Sequence, residues 1–333
     1  MVTYFSNLTQ APIQPSQNML AYPLRFCYTD YLDESPVLEK DDFLENVTAA
    51  YTLEERLVCI PTTILLQTVL GRSSLFGETS GWDMEDAMSL TERYPDYTLF
   101  DRNSFAYNLE FFWGDYIAER FVDWENGVCG FDGEEFCCLM KWIAEQSAGK
   151  EYENRGGGQD TGEQMAIQAA LSSAEEYARY LDEFDQDAVI VGYPSSDGRA
   201  LHRVQVFDAL GIPSRSRHKE GAWAFLKYFL SEPEGPGLYG FPSRRDLLEQ
   251  MLEETVVFYS VFDQRPLSET EKEQILNAVS EADFSDVIRR GRKEKLLTII
   301  REEMEGYLDG YKTMEEAAAV IQNRAGVFIQ EER

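Results

Sequence analysis

Acid–base and nucleophilic chemistry are the first functions to consider in this chain, because it contains 60 Asp and Glu residues. Adjacent carboxylates occur at Glu134–Glu135 and Glu302–Glu303, but a glycosidase needs two carboxyl groups that face each other across a cleft. There are 2 histidines, His202 and His218, and the sequence has neither a His-based triad nor an HExxH zinc motif. A Gly-x-Ser-x-Gly nucleophile elbow is also missing. These residues therefore predict that the protein is not an enzyme.

The cysteines and glycines predict neither a metal nor a cofactor. The 5 cysteines are an odd number without CxxC spacing, so we expect small buried apolar side chains rather than a disulfide framework or a metal site. The run Gly156–Gly158 lacks a following Lys-Ser/Thr pair and lies outside a strand–turn–helix context. A phosphate-binding loop is therefore not expected there.

The charge of the chain limits its partners. It has 30 Lys and Arg residues against 60 Asp and Glu, a net charge of -30, and this field repels nucleic acid backbones and anionic lipid surfaces. We therefore expect no nucleic acid partner. No apolar run reaches the 18 residues of a membrane span, and the N-terminus has no signal-peptide pattern, so no direct membrane insertion is expected.

The length and hydropathy pattern predict two α/β units. The chain has 333 residues, of which 44% are apolar, enough for two domains with buried cores. A buried strand is predicted at 57–60, ended by Pro61, followed by an apolar segment at 62–70, and a second strand at 188–191 precedes Pro194. Helical spacing is found at 41–51, 174–184, 220–230, 247–258, 269–282, 293–308 and 313–331. The strands are flanked by helices, which favours the α/β class with a helix-rich C-terminal part.

Two helices carry sharper expectations. The spacing in 220–230 predicts that Trp223, Phe225, Leu226, Phe229 and Leu230 point inward. Thr313, with Glu316 three residues later, has the pattern of a capping box that begins the last helix.

Several motifs together resemble a known family. The segment 191–194, followed by Asp197-Gly198, and the segment 219–231 resemble the second half of extracellular solute-binding proteins of sugar ABC importers, family 1, the group that includes maltose-binding protein. The segments 241–244, 307–317 and 321–324 are similar to that family too. Upstream, 71–75, Gly81-Trp82 and 121–124 fit the lineage found in gut Gram-positive bacteria. The resemblance covers about residues 28 to 333.

The resemblance implies a fold, a function and partners. The fold would be periplasmic-binding-protein type II-like, with two α/β lobes joined by hinge strands at Ile60-Pro61 and Tyr193-Pro194. Lobe 1 would comprise 1–61 and 195–240, and lobe 2 would comprise 62–194 and 241–333. Such proteins bind a sugar or oligosaccharide between the lobes by hinge closure, deliver it to the permease subunits of an ABC importer, and work outside the cytoplasm as lipoproteins or periplasmic proteins.

Relative to that family, the matching region starts near residue 28, so we expect the N-terminal part of lobe 1 to be incomplete. This departure leaves an alternative function open, in which a shortened chain binds no sugar and acts as an interaction protein, or as a fragment that needs a partner segment. The basic run 289–295 opposes the overall charge. It is either a solvated helix start or a surface that docks on the permease.

The candidate ligand-binding residues are neutral hydrogen-bonding groups and aromatic rings, which suit the hydroxyls and C–H faces of a sugar. Thr62, Thr63 and Gln67 follow the first predicted hinge, and Ser172 and Ser173 lie where family members have cleft contacts. Tyr193 and Asp197 belong to the second hinge loop. The stacking platform is expected among Tyr107, Phe112, Trp113 and Tyr116, with Trp113 favoured, although core packing of these rings is the competing interpretation.

Overall fold

The structure is a computed structural model of the chain and describes most of its residues. The described ranges are 3–6, 31–32, 35, 38–53, 55–77, 81–100, 104–112, 116–147, 164–213, 216–231, 240–260, 263–284 and 287–332. Of the predicted features, Trp113 and the glycine run 156–158 lie outside these ranges.

The main sheet is built on two long antiparallel strands, β4 (Ile60–Arg72) and β9 (Arg203–Gly211). On β9, the additional partners are antiparallel β1 (Thr3–Ser6) and parallel β13 (Asp283–Phe284). The partners of β4 are antiparallel β10 (Phe241–Pro242), together with β7 (Ala166–Leu171) and β8 (Ala188–Ile190). The sheet thus places β4 and β9 at the centre of the α/β arrangement.

The prediction that Pro61 ends the first strand is wrong. Strand β4 runs through it, with Ile60 paired to Leu210 and Pro61 to Ala209. The register of the ladder shifts between Pro61 and Thr63. A proline has no N–H to give to a ladder, and such a local irregularity is where a strand tolerates one.

Three short antiparallel pairs complete the described strands. They join β2 (Thr52–Leu53) to β3 (Arg56–Leu57), β5 (Val122–Asp123) to β6 (Val128–Cys129), and β11 (Val256–Ser260) to β12 (Asp263–Pro266). The predicted helix at 247–258 is wrong at its C-terminal end. The observed helix ends at Glu254, and Val256, Val257 and Phe258 belong to strand β11. β-branched and aromatic residues fit a pleated surface well.

Helices make up much of the remaining described chain. After a short 3-10 helix at Lys40–Asp42, the described α-helices are α1 (Glu45–Ala50), α2 (Ser73–Phe76), α3 (Met84–Arg93), α4 (Phe105–Phe112), α5 (Ala118–Phe121), α6 (Glu134–Ser147), α7 (Ala174–Glu183), α8 (Lys219–Ser231), α9 (Arg245–Glu254), α10 (Glu269–Glu281), α11 (Val287–Leu308) and α12 (Met314–Glu331). The predicted α/β class and the helix-rich C-terminal part are therefore confirmed. Among the described residues, no helix combines the length and the apolar character needed to span a bilayer.

Side-chain caps explain where several helices begin. The side chains of Asp83, Ser268 and Thr313 each accept a hydrogen bond from the backbone N–H three residues later. The acidic side chain at that later position accepts a hydrogen bond from the backbone N–H of the cap residue. These reciprocal bonds satisfy N–H groups that have no partner inside the helix. The predicted Thr313–Glu316 capping box is confirmed.

The chain divides into two compact units. Unit 1 contains 1–68, 169–190 and 202–286, and unit 2 contains 69–168, 191–201 and 287–333. The first two changes of unit fall inside strands, between Thr68 and Val69 of β4 and between Gln168 and Ala169 of β7.

The predicted lobes and these units use different boundaries. Segments 169–190 and 241–286, predicted in lobe 2, carry β8, β10 and β13, which pair with β4 or β9 and lie in unit 1. Segment 62–68 of β4 also lies in unit 1, and 195–201 lies in unit 2. The lobe boundaries and the two hinge positions stay predictions.

Each unit has its own apolar core. In unit 1, Leu57, Cys59 and Ile60 pack with Leu210 and Trp223 in one buried cluster. In unit 2, the rings of Phe121, Phe131 and Phe136 pack together with centroid separations of 5.0 to 6.3 Å. Described cysteines are all free thiols, so no disulfide contributes among these residues.

Candidate functional site

The segment 191–201, called the crossing loop below, is the part of unit 2 that the chain enters from β8 and leaves into β9. Its start is fixed by two hydrogen bonds, in which the N–H groups of Val191 and Gly192 donate to Val69 O at 2.9 and 3.2 Å. Tyr193 and Leu201 then form an antiparallel bridge with N···O distances of 2.7 and 3.1 Å. The loop is therefore a closed element with a defined backbone.

Trp82 anchors the crossing loop to the remainder of unit 2. Its indole is 1% exposed, and Nε1 donates to Gly192 O at 2.8 Å. In return, Ser195 N donates to Trp82 O at 3.0 Å. A buried indole N–H needs such a partner, and this pair of bonds satisfies backbone and side chain together.

A row of three neutral polar side chains lies beside this loop in unit 2. Gln168 Nε2 donates to the Tyr193 hydroxyl at 2.7 Å, and the Tyr107 hydroxyl donates to Gln168 Oε1 at 3.4 Å. Tyr193 is 1% exposed and its ring packs on Phe111 at 5.4 Å, whereas Gln168 is exposed and Tyr107 is half-buried. The row thus presents an amide and a phenol to solvent from a rigid base, and we call it the Tyr–Gln–Tyr row.

The sequence analysis identified two of these three residues: Tyr193 as a ligand-binding candidate, and Tyr107 as one of the rings that could form the stacking platform. It missed Gln168. Its signal in the sequence is a polar side chain within the otherwise apolar strand Ala166–Leu171. That signal is weak, because an exposed strand position tolerates any polar residue.

The threonines predicted beside the first hinge lie inside the sheet of unit 1. Thr62 and Thr63 are 5% and 1% exposed, and Thr62 O accepts a hydrogen bond from Ser243 N at 3.0 Å. Thr63 Oγ1 is buried without a hydrogen-bond partner among the described residues. Gln67 is half-buried and is paired with Arg203 across the β4–β9 ladder.

Ser172 and Ser173 mark the start of α7 in unit 1. Ser173 Oγ accepts from Glu176 N at 3.4 Å, as an N-cap, and Ser172 N donates to Glu176 Oε2 at 2.6 Å. Ser172 is 2% exposed, and Ser173 is half-buried. Helix capping therefore occupies the backbone of one serine and the hydroxyl of the other.

Asp197 forms a local turn in the crossing loop. Its Oδ1 accepts from Ser195 Oγ at 2.8 Å, and its Oδ2 lies 3.3 Å from Arg199 Nε. The hydrogen bond from Ser195 lowers the pKa of the exposed Asp197 carboxyl below its usual value. Asp197 thus helps to hold the exposed tip of the loop, in the same segment as Tyr193.

The predicted aromatic platform is divided in the structure. Phe112 is 1% exposed and packs edge-to-face on Trp142 at 5.6 Å, so its ring belongs to the interior of unit 2. Tyr116 is half-buried, and burial together with the nearby Glu135 carboxylate raises the pKa of its hydroxyl. Trp113 lies outside the described residues.

The side chains that the structure brings together here carry uncharged amide, phenol and hydroxyl groups, each of which can donate and accept hydrogen bonds. Within unit 2 the structure brings Tyr193 together with Gln168 and Tyr107. Within unit 1 it places Thr62 next to Ser243 and pairs Thr63 with Pro242. Among the described residues, no group of three or more His, Cys, Asp or Glu side chains is placed to hold a metal ion.

The sequence matches no protein-family model and no curated protein sequence. Its structure, in contrast, is similar to solved structures with low sequence identity. The sugar-binding protein MalE from Xanthomonas citri superposes with a TM-score of 0.57 at 16% identity, covering 96% of this chain and 82% of that protein.

Two further solved structures have comparable similarity. One is an extracellular solute-binding protein family 1 from Alicyclobacillus acidocaldarius, with a TM-score of 0.56, 11% identity and coverage of 91% of this chain and 81% of that one. The other is an ABC transporter solute-binding protein from Thermotoga lettingae bound with α-D-tagatose, with a TM-score of 0.51, 12% identity and coverage of 98% and 84%. These likenesses show the fold, which is that of type II periplasmic-binding proteins, as predicted.

Proposed function

We propose that this protein is the solute-binding subunit of an ABC importer, and that it binds a sugar or an oligosaccharide without catalysing a reaction. The fold supports a substrate-binding role, because solved structures that share it are named as sugar-binding or solute-binding proteins. Fold alone does not determine a ligand. The class of solute therefore has to be argued from this chain's own side chains.

The observation that carries the proposal is the Tyr–Gln–Tyr row. Gln168 is exposed, and its amide is held between the hydroxyls of Tyr107 and Tyr193 at 3.4 and 2.7 Å. Amide and phenol groups both donate and accept hydrogen bonds, which is what sugar hydroxyls require. No ionised side chain belongs to the row, so it favours a neutral, hydroxyl-rich solute over a charged one.

Rigidity of the row supports binding further. Tyr193 is fixed at its backbone by the bridge to Leu201 and at its ring by Phe111. Strand β7 holds Gln168, and α4 holds Tyr107. Side chains that are already ordered lose less entropy when a ligand binds.

The other residues suggested by the sequence stay part of the proposal. Thr62, Thr63, Gln67, Ser172, Ser173 and Asp197 are proposed as polar contacts, and Trp113 and Tyr116 as the source of a stacking ring. The Phe112 ring lies in the interior of unit 2 and is not available for stacking. Closure of two lobes about hinge strands would complete the site. The permease subunits of the importer would be the protein partners, and the location would be outside the cytoplasm.

A binding experiment with the purified chain tests the proposal. We would screen mono- and oligosaccharides by thermal shift, with short peptides as controls, and measure the hits by calorimetry. A ligand at 100 times its Kd adds about 2.7 kcal/mol to the free energy of unfolding, which raises Tm clearly. A melt that no saccharide shifts would contradict the sugar-binding role.

Substitution of Gln168 connects binding to the proposed row. Gln168→Ala removes the exposed amide, and we expect saccharide affinity to fall about tenfold, the scale of one or two lost hydrogen bonds. The matched control is Gln250→Ala, which removes an exposed glutamine from α9 in unit 1. If both variants bind the saccharide like the parent protein, the row is not the site.

A further inference from the structure

Helix α8 (Lys219–Ser231) of unit 1 exposes two aromatic rings on the side opposite its buried stripe. Phe225 and Tyr228 are 50% and 67% exposed, and Gly221 and Ala224 are exposed beside them. These four residues have the spacing i, i+3, i+4 and i+7, which places them along one face of a helix. We call them the outer face of α8. A contiguous exposed patch of this kind marks a surface for association.

The rings of the outer face are partly ordered by unit 1 itself. Phe225 stacks on Phe229 with a centroid separation of 6.0 Å and an angle of 29° between the ring planes. Phe229 is half-buried and packs against the cluster that contains Trp223 and Leu226. A ring that is already ordered loses less entropy when a partner covers it. The outer face is therefore prepared for contact with another surface.

The order of small and large residues makes the outer face complementary to itself. Gly221 and Ala224 come first, and the rings of Phe225 and Tyr228 come second. If two copies of α8 run antiparallel with residues 224 and 225 opposite each other, Tyr228 of each copy lies over Gly221 of the other, and Phe225 lies over Ala224. Helices pack in this way, with large side chains entering the grooves above small ones. The same patch then serves both copies, as a two-fold axis requires.

The charges beside the outer face fit the same antiparallel arrangement. Glu220 and Lys227 are seven residues apart, so they lie on one flank of the helix. In the antiparallel pair, Glu220 of one copy is offset by only about 3 Å along the axis from Lys227 of the other, and the two-fold axis repeats this pairing. Glu220 is exposed, and its Oε1 accepts a hydrogen bond from the Tyr31 hydroxyl at 3.0 Å, which holds the carboxylate near the face. Two pairs of opposite charges therefore flank the contact.

We propose that α8 pairs with α8 of a second copy of this chain, antiparallel and through the outer face, and forms a weak two-fold dimer. The contact extends over about two helical turns, and an interface that buries less than about 1,000 Å² is typical of transient association. The net charge of -30 also makes two copies repel each other. We therefore expect a Kd on the order of 100 μM. The dimer does not depend on the proposed solute-binding role, because the outer face belongs to unit 1 and the Tyr–Gln–Tyr row to unit 2.

Sedimentation equilibrium of the full chain tests the association. The protein would be measured from about 10 μM to about 1 mM, in about 0.15 M salt, which screens charges more than about 8 Å apart. The weight-average mass should rise from 38.2 kDa towards twice that value as the concentration increases. A mass that stays at the monomer value over the whole range would overturn the proposal.

Gly221→Gln tests whether the outer face forms the contact. A Cβ at Gly221 meets nothing within 4 Å, so the monomer has room for a side chain there. In the dimer the glutamine collides with Tyr228 of the second copy, and we expect dimerisation to weaken at least about tenfold. The Tm should stay the same or rise, because glycine weakens a helix. Gly326→Gln, at a glycine of α12 with equally open surroundings, is the control. If the two variants dimerise equally well, the dimer does not use the outer face.

Charge reversal tests the antiparallel direction. Glu220→Lys and Lys227→Glu each place like charges opposite each other at both ends of the contact, so each should weaken dimerisation about fivefold. The double variant restores opposite charges and should dimerise like the parent chain. The single changes alter the net charge in opposite directions, so a loss in both with recovery in the double variant cannot come from net charge. A double variant that stays as weak as the single ones, or single variants that shift dimerisation in opposite directions, would contradict the antiparallel pairing.

Discussion

Thr68 Oγ1 and His202 Nδ1 lie 2.8 Å apart in the interior of the protein, at two of the points where the chain changes unit. Thr68 is the last residue of the first segment of unit 1, and His202 is the first residue of its third segment. His202 is 6% exposed and Thr68 is fully buried. This hydrogen bond therefore joins β4 to the residue that immediately precedes β9.

Burial of His202 makes stability depend on pH. Desolvation lowers its pKa from 6.5 to about 4, so the folded protein keeps the ring neutral. In the unfolded chain the ring takes up a proton as the pH falls below about 6.5, which favours unfolding until the pH is below about 4. We expect this residue to cost on the order of 2 kcal/mol of folding free energy between pH 7 and pH 4.5.

Urea unfolding at the two pH values measures the effect. His202→Asn keeps a polar atom near the position of Nδ1 but cannot take up a proton, so it should lose less stability on acidification than the parent chain. Protonation of Asp and Glu side chains at low pH changes the free energy of unfolding of both proteins equally, so it cancels when the two losses are compared. If both lose the same amount of stability, His202 is not neutral in the folded state.

Local patterns allowed several elements to be predicted, and the failures have identifiable causes. The strand at Ala188–Ile190 and the Thr313–Glu316 cap depend on adjacent residues, and both are confirmed. Strand β9 was not predicted, because its polar and apolar residues do not form a clear run, yet its ladder with β4 stabilises it. Phe225 was expected inward, but it is 50% exposed, since the buried stripe of α8 follows Trp223, Leu226 and Leu230.

The candidate site could be predicted only in part for the same reason. The loop after β8 was enough to identify Tyr193. Gln168 becomes a candidate only through its hydrogen bonds to Tyr193 and Tyr107, which are 25 and 61 residues away in sequence. Contacts at such separations depend on the tertiary fold and leave no local pattern. Ser172 and Ser173 differ from Gln168, because the family resemblance suggested them as ligand contacts. In the structure they lie at the start of α7, where Ser173 is the N-cap.

Trp82→Phe should destabilise the crossing loop. The substitution removes the indole N–H that donates to Gly192 O and leaves that carbonyl oxygen without this donor. We expect a loss of about 1–3 kcal/mol in the free energy of unfolding, measured by urea denaturation. Trp124→Phe is the matched control, because Trp124 is half-buried and its ring contact with Arg292, at 5.6 Å, can be kept by phenylalanine. An equal loss in both variants would argue against the anchoring role of Trp82.

Gly192→Ala should be more damaging than the same change at Gly198. Both glycines have a left-handed backbone, with φ of 71° and 76°, so each alanine carries a strain of about 1 kcal/mol. A Cβ at position 192 would also lie 2.9 Å from Ala200 Cβ and Leu201 N, whereas a Cβ at 198 meets nothing within 4 Å. We expect an additional loss of about 1–3 kcal/mol for Gly192→Ala, as for an overpacked core. Thermal melts of the two variants give the comparison, and similar Tm values would show that the loop shifts freely.

Glu303 links helices α11 and α12, and its removal should lower the free energy of unfolding more at neutral pH than at acidic pH. It forms ion pairs with Lys312 and Arg324, and the hydrogen bond from Lys312 is the largest cause that lowers the pKa of its carboxyl. A lowered pKa means that the stabilisation is present above about pH 4.5 and is lost as the pH falls through the folded value. Glu303→Gln should therefore lower the free energy of unfolding by about 1–3 kcal/mol at pH 7, and by much less at pH 3. Glu305→Gln, at an exposed position of α11, is the control. A loss for Glu303→Gln that is the same at both pH values would mean that side-chain packing, and not the charge, accounts for the effect.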